Sequence, residues 1–350
     1  MLQDKTPVRT ELSELGEFKL IEHLSQSVKL SQSSTIKGIG DDAAVVKNDL
    51  ETTLISTDLL LEGIHFDLTY FPLKHLGYKA AIIGFSNLLA MNAKPRQITV
   101  GMAVSNRFSL EAVEEIYAGL QLACERYAVD LVGGDTSGSQ AGLCLAITAM
   151  GQAQQSDIVY RNNAKEHDLI CVSGDLGSAY AGLLSLEREK VEYLANPDMQ
   201  PDLQGNDYVL ERQLKPEARF DILDLLQEKN VKPSAMIDIS KGLASALLHI
   251  CRESKVGCML YESKIPIDPT ACSTLEIFNI LPTIAALNGG EDYELLFTIP
   301  QSDYDKIKDS HDITVVGHIV DEGSGCMLVP ENGALIALEA QGMPKSDLSQ

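Results

Sequence analysis

Five short acidic motifs carry the chemistry legible in this chain. They are Gly40-Asp41-Asp42, Ser56-Thr57-Asp58, Gly133-Gly134-Asp135-Thr136, Asp238-Ile239-Ser240 and Gly289-Gly290-Glu291-Asp292-Tyr293-Glu294. Most follow a short apolar run that reads as a strand. Carboxylates at strand ends, beside glycines that let backbone come close, suit hard cations and the phosphates those cations carry. No Walker-type basic phosphate loop is present, so the pattern points to a polyanion held through metal ions. Each motif also has a plainer reading. Adjacent acids such as Asp41 and Asp42 often mark a turn. The glycines before Asp135 serve a tight turn as well as a nest for an anion. His65, in Gly63-Ile64-His65-Phe66, is either a satisfied structural histidine or a ligand contact. Arg161 is either a phosphate fork or half of a surface ion pair. The last motif is the least generic, because three acids so close repel unless a cation or a donor-rich ligand sits among them.

The elements that must position these residues alternate between strand and helix patterns. An amphipathic helix is expected over Glu14 to Ser27, then a Ser-rich loop. Thr53 to Ser56 reads as a strand running into Thr57-Asp58, and Lys74 to Met91 as a buried helix. Ile98 to Val104 is a strand. Ser109 caps a helix reaching about Tyr127, with acids in its first turn. Val129 to Val132 and Leu143 to Gly151 are further strands. The second half repeats the alternation: strand Leu169 to Ser173, helix Gly177 to Arg188, a loop over Tyr193 to Tyr208, and helix Glu217 to Lys229. A helix N-capped by Ser240 then runs to Ser254, followed by strands Tyr293 to Ile299 and Ile313 to Ile319. The domain boundary is placed in the polar stretch Gln152 to Lys165, giving domains 1–151 and 152–350.

Composition narrows the field. At 350 residues there is room for two cores. The formal charge is −22 with no basic stripe, so a nucleic-acid surface is not expected. Seven cysteines include no Cys-x-x-Cys pair, and the N-terminus lacks an apolar targeting core. The odd cysteine count and the lack of a targeting core point to a reducing cytoplasm. The longest apolar run is short of a membrane span.

Taken together and in this order, the motifs resemble the thiamine-monophosphate kinase family of the aminoimidazole-ribonucleotide-synthetase (PurM-like) superfamily. The resemblance spans Gly16 to Gly342. It rests on Gly38-Ile39-Gly40-Asp41-Asp42-Ala43, Ser56-Thr57-Asp58, Gly63 to Phe66, Leu76-Gly77-Tyr78-Lys79-Ala80, Gly133 to Thr136, Asp238-Ile239-Ser240 and Gly289 through Phe297. A selenophosphate synthetase needs a reactive Cys ahead of the first motif, and a hydrogenase-maturation relative needs a C-terminal Cys; the chain has neither. The resemblance implies a two-domain α/β fold of PurM-like type, with mixed sheets and helices packed on one face of each. It implies a homodimer that pairs the N-terminal sheets. It implies transfer of the ATP γ-phosphoryl group to thiamine monophosphate, aided by several Mg²⁺ ions, without a protein nucleophile. By matching positions, Asp41, Ser56, Thr57, Asp58, Asn87, Asp135 and Asp238 fall to the metals. Tyr117, Gly134, Asp135, Arg161, Ser240 and Lys241 fall to the nucleotide, and His65 and Glu291 to the substrate.

Three positions depart from the family pattern. Asn87 and Lys241 stand where the family has metal-binding aspartates. The family's C-terminal stacking aromatic is replaced by Ala340-Gln341-Gly342-Met343-Pro344, and the chain has no Trp. Two readings stay open: an enzyme using fewer metals with a lysine in place of one, or a weakened paralogue that binds nucleotide and thiamine phosphates.

Overall fold

The computed structural model of the chain describes residues 23, 26–37, 45–46, 52–198 and 200–340. The motif Gly38 to Ala43, with Asp41, lies outside these residues, as do most of the helix expected over Glu14 to Ser27 and the segment from Gln341 onward. The described chain forms two compact units. One runs up to Phe85 and takes in Pro95–Gln152; the other takes in Ser86–Lys94 and everything from Ala153.

In the N-terminal unit, β1 (Thr35–Lys37) pairs antiparallel with β2 (Val45–Val46). The main elements are β3 (Thr52–Leu61), α1 (Leu73–Leu89), β4 (Lys94–Val104), α2 (Leu110–Tyr127), β5 (Asp130–Gly138) and β6 (Cys144–Ala153). The strands form a four-stranded sheet in the order β3-β6-β4-β5. Period-two burial on β6 sets Leu145, Ile147 and Ala149 toward the helices and leaves Ala146, Thr148 and Met150 half-buried on the other face. The two helices cross where side chains are absent. A Cβ on Gly77 would lie 1.9 Å from the Ile116 carbonyl oxygen, and one on Gly119 would lie 1.9 Å from that of Lys74. Ser109 caps α2 as expected, accepting from the Ala112 amide.

The C-terminal unit contains β7 (Leu169–Ser173), α3 (Ser178–Ala195), α4 (Asp207–Leu214), α5 (Phe220–Glu228), β8 (Ala235–Ile239), α6 (Leu243–Ser254) and β9 (Gly257–Tyr261). It continues with α7 (Pro269–Ile277), α8 (Pro282–Asn288), β10 (Glu294–Ile299), α9 (Tyr304–Ile307), β11 (Ile313–Val320), β12 (Cys326–Val329) and β13 (Ile336–Ala337). Seven strands order as β13-β12-β9-β11-β7-β10-β8. β10 is antiparallel to both its neighbours, and β12 is parallel to β9. β8 and β10 are buried along their whole length, so the polar residues they carry, Asp238 on β8 and Glu294 and Thr298 on β10, are buried with them. Among the described residues no single helix is long and apolar enough to cross a membrane. The fold is a two-domain mixed α/β arrangement, as the sequence led us to expect.

Two local expectations are corrected. The motifs at Ser56-Thr57-Asp58 and Gly133 to Thr136 do not follow strands; they lie inside β3 and β5. Ser240 does not cap α6. The cap is Gly242, at φ +88°, because the chain is still hydrogen-bonded to the Gly289–Glu294 segment at Ile239 and Ser240.

Candidate functional site

The N-terminal unit displays its motif residues on strands. Alternation along β3 puts Ser56 and Asp58, both half-buried, on the same side as buried Leu54 and Leu60. Thr57 points to the other face, where its hydroxyl lies 3.1 Å from that of Thr148. Serine hydroxyl and carboxylate can therefore meet one ion, but the Thr57 hydroxyl cannot join them from that face. Asp135 is exposed on β5, an outer strand of the sheet. Gly134 is there because β5 comes close to β4: a Cβ would sit 2.0 Å from the Val100 carbonyl oxygen. Gly133 faces open space. Tyr117 reaches Gly133–Thr136 from α2 through a hydrogen bond to Thr136, and burial raises its phenol pKa. His65 is exposed, and its Nδ1 accepts the Leu61 amide at 3.0 Å. That bond fixes the tautomer with the proton on Nε2 and turns this nitrogen outward.

In the C-terminal unit a second group forms around β8. Asp238 is 5% exposed. Burial raises its pKa, opposed by a hydrogen bond from Ser86, the charge of Arg161 and a hydrogen bond from Ser240. The Ser86 hydroxyl is 3.3 Å from Asp238 Oδ2, so the end of α1 that carries Asn87 belongs to this group. Arg161 is exposed, with its carbonyl accepting the Ser254 hydroxyl at 2.9 Å. Lys241 is exposed ahead of α6. Desolvation and then the charges of Arg161, Lys241 and Arg252 lower the pKa of His249, so these cations share one surface.

The Gly289–Glu294 turn packs against that group. The Glu291 amide donates to the Ser240 carbonyl, and the Tyr293 amide to that of Ile239. A Cβ on Gly290 would lie 2.8 Å from the Ser240 oxygen, so glycine is required for this approach. Glu291 and Tyr293 both adopt positive φ, +61° and +51°. Such residues cost roughly 1–3 kcal/mol each and persist where surroundings impose them, commonly at functional sites.

The cations that the three acids of this turn call for are supplied by the protein itself, Arg212 and Arg219. Asp292 accepts from the Gly177 amide at 3.0 Å and lies at the N-terminal end of α3. Burial still pushes its pKa up to about 7, against the charge of Arg212. Glu294 is held by Arg219, by Ser173 and by Arg212 at 3.0 Å. Glu291 accepts from Gln213 Nε2 at 2.8 Å. Arg212, Gln213 and Arg219 were not singled out in the sequence. Arg212 and Gln213 sit on α4, a short helix inside and just after a stretch without periodicity.

The donor set fits Mg²⁺ unevenly. Ser56, Asp58 and Asp135 offer hard oxygens with some access to solvent, as a partly hydrated Mg²⁺ requires. Within either unit, among the described residues, no three carboxylates or imidazoles converge within 4.8 Å. The cations around Asp238 fit phosphate oxygens better than a metal.

Comparison with known proteins decides the family. Residues 40–153 match the AIR synthase related protein N-terminal domain, and residues 165–342 match its C-terminal domain. The thiamine-monophosphate kinase of Aquifex aeolicus is 32% identical over 90% of this chain and 94% of its own length. The thiamine-monophosphate kinase of Buchnera aphidicola subsp. Schizaphis graminum is 33% identical over 92% and 97%. The chain belongs to the thiamine-monophosphate kinase family. A solved structure of AaThiL complexed with AMPPCP and TMP matches with a TM-score of 0.70 at 29% identity, covering 93% of this chain and 96% of that one. Hydrogenase maturation protein HypE in complex with ATP shares the fold at 17% identity and a TM-score of 0.69. At that identity the likeness concerns the fold alone.

Proposed function

We propose that the chain transfers the γ-phosphoryl group of ATP directly to the phosphate of thiamine monophosphate, giving thiamine diphosphate. The observation that carries this reading is near-full-length similarity to kinases of that one activity, joined to the strained turn at Glu291 packed on Ser240. Asp58, Ser56 and Asp135 hold Mg²⁺ in this proposal, with Asp41, Asn87 and Asp238 as further ligands. Thr57 contributes through its backbone carbonyl, since its hydroxyl is turned away. Mg²⁺ supplies neutralisation of the phosphate charge when bound. Tyr117, the backbone at Gly134, Arg161, Ser240 and Lys241 position the nucleotide. His65 Nε2–H and the Glu291 carboxylate contact the thiamine substrate, the latter meeting aminopyrimidine N–H donors.

Lys241 meets a phosphate oxygen rather than a metal. Ammonium and Mg²⁺ about 4 Å apart repel by roughly 8 kcal/mol at an effective dielectric near 20. A nucleotide complex therefore holds fewer Mg²⁺ ions than the family pattern provides. We further propose a cytoplasmic homodimer that covers the open face of the N-terminal sheet. Ile55 at 68% exposure and Leu59 at 53% support this. Light scattering at micromolar concentration tests it, and a monomeric mass counts against it.

The decisive assay incubates the chain with Mg-ATP and thiamine monophosphate and measures thiamine diphosphate. Turnover that Asp58→Ala abolishes supports the proposal. Binding of both ligands without turnover, restored by Asn87→Asp with Lys241→Asp, favours the weakened-paralogue reading that those two residues motivate.

A further inference from the structure

Three of the seven cysteines come together in the C-terminal unit. Cys251 lies near the end of α6, Cys258 on β9 and Cys326 at the start of β12. Their sulfurs lie within 4.8 Å of one another, and each thiol is within hydrogen-bonding reach of the other two. All are free. Among the described residues no other group of three cysteine, histidine or acidic ligand atoms is this tight.

Backbone geometry fixes the arrangement. Lys255, at φ +54°, ends α6 and turns the chain into β9, which brings Cys258 back under Cys251. β9 and β12 are parallel, with Cys326 in register with Cys258, so both side chains project to one face. A Cβ on Gly257 would lie 2.4 Å from the Gly325 carbonyl oxygen, so the two strands meet this closely only because that residue is glycine. Cys251 and Cys258 are buried in the apolar core, while Cys326 is half-buried and opens the group toward solvent.

We propose that Cys251, Cys258 and Cys326 form a three-sulfur site for a thiophilic metal ion, Zn²⁺ or Cu⁺, separate from the phosphotransfer chemistry. Packing alone accounts for single buried cysteines, which behave as small hydrophobes. It gives no reason for three thiols from three elements to face one point. Sulfur ligands bonded to zinc at about 2.3 Å lie roughly 4 Å apart, so small side-chain shifts close the site. Three sulfurs without nitrogen or oxygen select soft or borderline ions over Mg²⁺. On binding, each ligand thiol loses its proton to solvent, and no electron is transferred. A bound ion ties the end of α6 to β9 and β12.

The test titrates the reduced full-length chain with Cd²⁺ and follows the ultraviolet thiolate-to-metal charge-transfer band. The expected result is a band that saturates at one Cd²⁺ per chain, with the intensity of three thiolates. Cys326→Ser loses it, whereas Cys272→Ser, outside the group, keeps it. Competition with Zn²⁺ and with Cu⁺ then tells which ion takes the site. No band at one equivalent, a band that survives Cys326→Ser, or displacement by neither ion overturns the proposal. If Cys326→Ser fails to fold, the band intensity of the unaltered chain decides alone.

Discussion

Asp238 aside, the two units handle similar acidic motifs in opposite ways. In the N-terminal unit, Ser56 and Asp58 are half-buried on a strand, and Asp135 is exposed at the sheet's edge. In the C-terminal unit, Asp292 and Glu294 are fully buried, and each is already met by protein donors. An acid whose charge is answered by arginine and helix amides is scaffold. An acid that keeps access to solvent can still take an ion. A run of carboxylates in a sequence therefore does not state its role; the partners do. The Gly289–Glu294 turn, the most specific motif in the sequence, is mainly a device for fixing backbone. Only Glu291 retains a half-exposed carboxylate there.

The sharpest way to break this contrast is to remove a scaffold partner. Arg219→Met should leave Glu294, 1% exposed, with an uncompensated share of buried charge. The expected loss is about 3–5 kcal/mol in urea unfolding, reduced to the extent that Arg212 compensates. A loss below about 1 kcal/mol, the range of a surface pair, would mean the pair is not structural.

A smaller effect tests Asp292. Burial pushes its folded pKa up to about 7, above the ordinary aspartate value of 3.8. The folded state therefore holds the extra proton between these values. The stability this gives is full below about pH 4 and is lost as pH rises through 7. Unfolding of wild type and Asp292→Asn, compared from pH 4 to 8, should show the wild type losing ground by an amount on the order of a few kcal/mol. Parallel curves would contradict the assignment.

The smallest effect separates glycines of fold from glycines of site. Gly134→Ala must push β5 from β4 and should cost about 1–3 kcal/mol. Gly133→Ala meets nothing within 4 Å and should fall within about 0.5 kcal/mol. Equal thermal shifts in the two variants would remove the close-approach explanation.

The sequence made the strand and helix skeleton legible wherever periodicity was strong. β7 is found at Leu169–Ser173, and α2 begins after the Ser109 cap, as read. Reading failed where glycines serve close packing rather than turns. Gly133-Gly134 reads as the end of a strand because the other use of Gly134, close approach to Val100, is a long-range fact. Ser240 looked like an N-cap because its pairing partner, Glu291, is fifty-one residues away. Arg212 and Arg219 carry no local signal, since nothing nearby in the sequence announces that Glu294 is buried beside them. The seven cysteines show no pairing motif in the sequence, and only the β9–β12 register and the packing of Cys251 against it reveal a cluster.

The central claim is that the N-terminal carboxylates serve metal while the C-terminal cations serve phosphate. It is tested most directly by titrating Mg²⁺ and ATP separately in the phosphotransfer assay. Asp58→Asn should raise the Mg²⁺ concentration needed for half-maximal rate. Lys241→Ala should raise the KM for ATP and leave the Mg²⁺ requirement unchanged. The reverse pattern, with Mg²⁺ demand following Lys241 and ATP affinity following Asp58 at saturating Mg²⁺, would contradict the account.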